Sequence, residues 1–227
     1  MIDLTRDVQV LSRGVPLRGV LAIPEAAPGL VVFAHGSGSG RHSPRNQFVA
    51  SVLREAGLGT LLLDLLTEEE GLLDARTGHL RFNIELLTER LLGATEWAWH
   101  KPETASLAVG YFGASTGAAA ALEAAAELGQ SIAAVVSRGG RPDLARRSLP
   151  HVSSPTLLIV GGDDVAVLEM NREAYELLQT ERELVVVPGA GHLFEEAGAL
   201  EKVAHLAADW FTRHFHAGAG RSAARTG

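Results

Sequence analysis

Residues 107–128 read LAVGYFGASTGAAAALEAAAEL and join two different secondary structures through one glycine-flanked serine. The apolar run over 107–112 predicts a buried strand. The alanine-rich run over 115–128, followed by Gly129, predicts a helix. Between them lies the pattern G-x-S-x-G, which in a strand-to-helix turn exposes a nucleophilic serine. We therefore expect Ser115 at the carboxyl end of a central strand.

The same alternation of strand and helix extends over the rest of the chain. A hairpin is predicted over 8–23, buried strands over 30–34, 58–66, 132–136, 156–160 and 184–187, and helices over 44–56, 84–97, 168–178 and after 192. This order predicts one α/β domain over residues 1–216, with a mostly parallel sheet covered by helices on both faces. Ligands of such sheets bind beyond the carboxyl ends of the strands. Residues 217–227 are predicted to be a flexible tail.

Composition excludes several classes of function. Twenty Lys and Arg against 27 Asp and Glu give a net charge of −7, so nucleic acid is not an expected partner. Cysteine is absent, which leaves no disulfide and no thiol nucleophile. The acidic start does not fit the pattern of a signal peptide, so export is not expected, and the uncharged stretch over 104–122 is interrupted by the turn at 113–117. We expect a cytoplasmic protein with no membrane association and no metal.

A serine nucleophile needs a histidine base that is oriented by a carboxylate. Of nine histidines, His192 alone directly follows a predicted terminal strand on a glycine-rich loop. Asp163 and Asp164 both follow the strand over 156–160, and the residues themselves do not choose between them. The order serine, aspartate, histidine is that of α/β-hydrolases and differs from the orders in chymotrypsin and subtilisin.

The loop His35-Gly36-Ser37-Gly38-Ser39-Gly40 follows the first buried strand. Its backbone N–H groups are expected to form an oxyanion hole together with the N–H of Thr116. The loop does not satisfy the dinucleotide pattern G-x-G-x-x-G in either frame, because Arg41 or Ser43 occupies the third glycine position. A P-loop is also absent from the sequence, so nucleotide binding is not predicted.

These motifs, with Gly161-Gly162-Asp163-Asp164 and Gly189-Ala190-Gly191-His192, resemble the dienelactone hydrolase-like group of the α/β-hydrolase superfamily. The resemblance covers residues 15–214. It implies Ser115 as nucleophile, His192 as base, Asp164 as the orienting acid, N–H groups of Ser37 and Thr116 as oxyanion donors, and no cofactor. Dienelactone hydrolases proper carry cysteine at the nucleophile position, where this chain has serine. The implied substrate is therefore a small carboxylic ester or lactone.

Two further features bear on the substrate. Arg41 with Arg45 after the first glycine-rich loop, and Arg138 with Arg141 after the strand over 132–136, form two basic clusters. Arg41 and Arg138 are candidates for binding a carboxylate or phosphate of the substrate, and the favoured alternative is that these arginines cap helices or pair with acids. The segment Thr67 to His79 is either a small lid, which would favour short acyl chains, or a solvated loop. Alternatives to ester hydrolysis are thioester, amide or peptide hydrolysis, acyl transfer, and a non-catalytic binding domain. The sequence does not indicate the oligomeric state.

Overall fold

The computed structural model describes residues 5–222, and its centre is an eight-stranded sheet. The strands are β1 (Arg6–Ser12), β2 (Val15–Ala22), β3 (Gly29–Ala34), β4 (Gly59–Leu63), β5 (Ala108–Ala114), β6 (Ile132–Arg138), β7 (Thr156–Gly161) and β8 (Arg182–Val187). Their order across the sheet is β1-β2-β4-β3-β5-β6-β7-β8. β1 and β2 form an antiparallel hairpin, β2 pairs with β4 in antiparallel fashion, and the remaining neighbours are parallel.

Helices cover both faces of this sheet. They are α1 (Pro44–Glu55), α2 (Glu68–Thr77), α3 (Ile84–Trp99), α4 (Thr116–Leu128), α5 (Val165–Leu177) and α6 (Ala199–Ser222). Apolar side chains of α3, α4 and α5 pack on one face, and those of α1 and α6 pack on the other. β3 and β7 are buried along their whole length, as strands covered on both faces must be. The predicted fold class is confirmed.

The structure differs from the sequence prediction over Thr67 to His79, which we expect to be a small lid or a solvated loop. It contains the helix α2, whose first turn is closed by a reciprocal capping box. The Thr67 hydroxyl accepts a hydrogen bond from the Glu70 N–H, and the Glu70 carboxylate accepts one from the Thr67 N–H. The pattern T-x-x-E over residues 67–70 was therefore the sequence signal that could have predicted the start of this helix. The acidic run Glu68-Glu69-Glu70 lies in the first helical turn, where negative charge is favourable.

The last described element is a long helix. The predicted tail over 217–227 begins inside α6, whose backbone is described to Ser222, and residues 223–227 lie outside the described part of the chain. No helix among residues 5–222 has the length and apolar character that crossing a membrane requires. The uncharged stretch over 104–122 forms β5, the serine turn and the start of α4, as predicted.

Candidate active site

Ser115 lies in the turn between β5 and α4 in a backbone conformation that serine rarely adopts. Its φ is 50° and its ψ is −122°. A residue with a side chain pays about 1–3 kcal/mol for such a conformation. Two backbone hydrogen bonds hold the turn, from Ser115 N to Arg138 O at 3.2 Å and from Arg141 N to Ser115 O at 3.1 Å. The sheet therefore keeps Ser115 strained and only partly buried at the edge where ligands bind.

The glycine that follows the serine turn is required by close packing. A Cβ at Gly117 would lie 2.2 Å from the carbonyl oxygen of Ala34 and 2.5 Å from that of His35. Both oxygens belong to the end of β3 and the loop after it. Gly117 thus allows the start of α4 to pack directly against the neighbouring strand, which brings the loop after β3 beside Ser115.

His192 and Asp164 are joined by a short hydrogen bond. His192 Nδ1 lies 2.6 Å from Asp164 Oδ2, and the carboxylate is largely buried. The loop after β7, which carries Asp164, and the loop after β8, which carries His192, can meet because Gly161 has no side chain. A Cβ at Gly161 would lie 2.3 Å from the carbonyl oxygen of Ala190. Asp163, the other candidate acid, is exposed, and its N–H donates to Ala190 O. The structure therefore pairs His192 with Asp164.

The bond to Asp164 orients the His192 ring and leaves Nε2 as the nitrogen that can accept a proton. Among the described residues, no hydrogen bond joins the Ser115 hydroxyl to His192. Such bonds are often long in ligand-free enzymes and tighten when substrate is bound. His192 lies at the same end of the sheet as Ser115. Its Nδ1 is close to Gly139, the residue that follows β6, since a Cβ built on Gly139 would lie 3.5 Å from it.

The loop after β3 is anchored by a buried histidine. The His35 Nδ1–H donates to Gly36 O at 2.9 Å, and the N–H of Leu65 donates to His35 Nε2, also at 2.9 Å. This arrangement requires a neutral ring, and burial lowers the pKa of His35 below its usual value. The hydroxyls of Ser37 and Thr116 lie 3.3 Å apart. Ser37 and Thr116, whose backbone N–H groups are the predicted oxyanion donors, are therefore neighbours beside the Ser115 turn.

A cleft of about 1030 Å³ opens next to Ser37 and Thr116. It runs between the loop after β3, the edge of the β1–β2 hairpin and α2. Its volume lies at the upper end of the usual range for ligand pockets. It is larger than the short acyl chains favoured by a small lid would need. Its charged walls are largely neutralised by the ion pairs Arg41–Asp64, Arg81–Asp74 and Arg18–Glu68.

The structure does not bring Arg41 and Arg138 together as one anion-binding pair. Arg41 lines the cleft, and its guanidinium and backbone N–H both bind Asp64. Arg141 is likewise satisfied by Asp143, through two hydrogen bonds of 2.8 Å. Arg138 is the last residue of β6 and is buried, and burial, with a smaller contribution from the positive charge of Arg45, lowers its pKa to about 10.

A comparison with protein families agrees with this arrangement of the serine turn and the histidine–aspartate pair. The family model described as "Dienelactone hydrolase family" matches residues 17–216. The chain belongs to the dienelactone hydrolase family. Among residues 5–222, no group of three or more His, Asp or Glu side chains is arranged to hold a metal ion.

Two solved structures are similar to this chain. A dienelactone hydrolase from Anabaena variabilis superposes with a TM-score of 0.93 at 59% identity, over 94% of this chain and 99% of the other. Est1E from Butyrivibrio proteoclasticus superposes with a TM-score of 0.78 at 16% identity, over 92% of this chain and 99% of the other. At that low identity, the second similarity shows the shared fold alone.

Curated relatives come from two strains of Mycobacterium tuberculosis and carry the name "Putative phosphoribosyl transferase". Each is 58% identical over 208 residues, which is 92% of this chain and 46% of the relative. The chain therefore spans about half the length of these relatives.

Proposed function

We propose that this dienelactone hydrolase family member is a serine hydrolase that cleaves small carboxylic esters or lactones through an acyl-enzyme intermediate. The observation that carries the proposal is the strained backbone of Ser115 at a strand-to-helix turn, at the end of the sheet where His192 is hydrogen-bonded to Asp164. Strain of this kind persists where function requires a side chain to be exposed.

In the first half of the reaction, Ser115 Oγ attacks the ester carbonyl while His192 Nε2 takes the hydroxyl proton. The negative charge that develops on the carbonyl oxygen is stabilised by the N–H groups of Ser37 and Thr116. Collapse of the tetrahedral intermediate breaks the bond to the alcohol, which leaves with the proton from His192. Asp164 holds the tautomer and stabilises the imidazolium in between.

In the second half, water replaces the alcohol. His192 removes a proton from the water, the resulting hydroxide attacks the acyl carbonyl, and the proton returns to Ser115 Oγ as the acid departs. Every proton transfer in this sequence uses groups of the chain itself. No metal or organic cofactor is part of the proposed reaction.

The name "Putative phosphoribosyl transferase" does not describe the activity proposed for this chain. The hydrolase family match accounts for residues 17–216, which is nearly the whole chain, whereas that name belongs to proteins of which the chain matches 46%. We further propose that the protein is cytoplasmic and that its partner is a small ester rather than nucleic acid or a membrane.

The test is hydrolysis of 4-nitrophenyl acetate and butyrate by the wild type and Ser115→Ala. We expect the substitution to remove at least about 10³ of kcat, since it removes the nucleophile. Ser51→Ala is the matched control, because the Ser51 hydroxyl donates only within α1, to Phe48 O at 2.7 Å. Equal rates in wild type and Ser115→Ala would contradict the proposal.

A fluorophosphonate probe addresses the substrate separately from the nucleophile. Labelling of the wild type but not of Ser115→Ala, in a protein that does not hydrolyse the two test esters, would support an active serine with a different acyl substrate. A thioester and an amide with the same acyl group then distinguish between the alternative bonds. Absence of labelling together with absence of hydrolysis would favour a binding domain.

A further inference from the structure

The end of β6 and the turn after it, residues 138–141, hold the backbone of the serine turn. This segment is called the β6 loop below. At its start, Arg138 O accepts a hydrogen bond from the Ser115 N–H at 3.2 Å. At its end, the Arg141 N–H donates to Ser115 O at 3.1 Å. Both backbone polar groups of the candidate nucleophile are therefore bound by the β6 loop, so the position of the loop sets the position of Ser115.

The β6 loop also contacts the segment that carries the candidate base. Gly139 has a φ of 51°, and its N–H donates to Ile159 O of β7 at 2.8 Å. A Cβ built on Gly139 would lie 3.2 Å from the backbone oxygen of His192. The β6 loop thus lies between the serine turn and the histidine loop and is in contact with both.

One side chain binds the β6 loop from the helix that follows Asp164. Asn171 lies on α5, and its Nδ2 donates to Gly140 O at 3.0 Å and to Val167 O at 2.8 Å. Asp164 is the residue at which α5 begins. The hydrogen bond to Gly140 O therefore joins the β6 loop to the same helix that positions the acid.

Packing alone does not account for an asparagine at this position. Asn171 is 0% exposed, and its Oδ1 is buried with no hydrogen-bond partner among the described residues. An unpaired buried acceptor is unfavourable, and an apolar side chain of the same size would avoid it. The two carbonyl oxygens use both hydrogens of the amide group. What the chain gains from asparagine here is thus the pair of bonds from Nδ2, of which only the one to Gly140 leaves α5.

We propose that Asn171 is a positioning residue for the reaction, which fixes the β6 loop and through it the placement of Ser115 relative to His192. This inference rests on the proposed function. Asn171 is fully buried and is not among the residues that line the cleft of about 1030 Å³, so it acts through the loop and not on the substrate. A misplacement of reacting groups by about 1 Å can reduce the rate about hundredfold.

Two substitutions separate the bond to the loop from the bond within the helix. Asn171→Leu keeps the approximate size and removes both bonds. Asn171→Ser keeps a donor for Val167 O, because a helical serine hydroxyl donates to the carbonyl four residues earlier, and it loses the bond to Gly140 O. Asn171→Ser should therefore be the more stable of the two, and it provides a folded protein if Asn171→Leu does not fold.

The matched control is Thr156→Val. Thr156 is also 0% exposed, and its hydroxyl donates to Ser154 O at 2.9 Å. It is the first residue of β7 and therefore lies at the opposite end of the sheet from the serine turn. Thr156→Val removes a buried hydrogen bond and keeps the shape of the side chain, so it should lower the melting temperature and leave kcat unchanged.

Hydrolysis of 4-nitrophenyl acetate is measured well below the melting temperature of every variant. We expect both Asn171 variants to lose kcat about tenfold to hundredfold, with KM within about twofold of wild type. Labelling of Ser115 by a fluorophosphonate should slow by a similar factor, because it needs the same nucleophile and base. Wild-type kcat in Asn171→Ser would overturn the proposal. So would an equal loss of kcat in Thr156→Val, which would show that kcat only follows stability.

Amide hydrogen exchange, followed by NMR, tests the loop without any substrate. In Asn171→Ser the N–H groups of Ser115 and Arg141 should exchange at least about tenfold faster than in Thr156→Val, because local opening of the β6 loop releases both. Equal exchange of these two groups in the two variants would overturn the proposal. Failure of the proposed function has a different signature. Wild type would then neither hydrolyse the esters nor react with the probe, while the exchange rates would still show whether Asn171 holds the β6 loop.

Discussion

His192 Nδ1 and Asp164 Oδ2 lie 2.6 Å apart, and the hydrogen bond between them sets which ring nitrogen can take a proton. Asp164→Asn should lower kcat by about 10⁴, because an amide donor favours the wrong tautomer and cannot stabilise the imidazolium. The measurement is the rate of 4-nitrophenyl acetate hydrolysis. Asp163→Asn, one residue earlier and exposed, should change it less than about threefold. The reverse order of effects would make Asp163 the orienting acid.

Gly117 and Gly71 are both helical glycines, but their surroundings differ. A Cβ at Gly117 would collide with the carbonyl oxygens of Ala34 and His35, whereas a Cβ at Gly71 would meet no atom within 4 Å. Gly117→Ala should lower the free energy of unfolding by more than about 3 kcal/mol and inactivate the protein. Gly71→Ala should raise it by about 0.5–1 kcal/mol through helix propensity. Urea denaturation measures both, and a stable, active Gly117→Ala protein would contradict the close packing of α4 against the end of β3.

His35 should make the protein less stable in acid. Burial lowers the pKa of His35 in the folded state, whereas the unfolded chain has a value of about 6.5. Below about pH 6.5 the unfolded state therefore binds more protons than the folded state. The stability that the neutral ring contributes is complete above that pH and declines as the pH falls towards the folded-state pKa.

The pH effect of His35 is measured as the free energy of unfolding between pH 8 and pH 5. His35→Gln should have a flatter dependence than the wild type, and His205→Gln, an exposed change on α6, should not. The pKa of the buried His214 is lowered as well, chiefly by burial, so a residual slope of the same sign is expected in His35→Gln. Identical slopes in wild type and His35→Gln would contradict a neutral, buried His35.

Thr67 caps the helix that walls the cleft. Thr67→Ala removes the acceptor of the Glu70 N–H and should cost about 1 kcal/mol of stability. Because α2 lines the cleft, KM for a bulky ester should rise more than kcat falls. Thr77→Ala in the same helix, whose hydroxyl bonds only Leu73 O, should stay within about 0.5 kcal/mol of wild type. An unchanged stability in Thr67→Ala would mean that the capping box contributes nothing in solution.

Several features could be predicted because their signal is local in sequence. The strained turn at Ser115 needs glycine on either side of its motif and a strand and helix beyond them, and all of these lie within 22 consecutive residues. The strand and helix order also follows from local periodicity. The helix α2 was missed because its composition is polar and acidic, although the capping box from Thr67 to Glu70 marks its start.

Charge pairing could not be predicted, because it depends on which strand ends become neighbours. The sequence by itself determined the fold class, the serine turn and the chain order of the candidate triad, since each depends on residues close together in the chain. Only the tertiary structure decided that Arg41 is neutralised by Asp64 and that Arg138 is buried next to the serine turn, and it placed His192 against Asp164, the acid that the family resemblance implied. Distances of a few ångströms between loops from different strands set these choices, and sheet order rather than sequence spacing controls such distances.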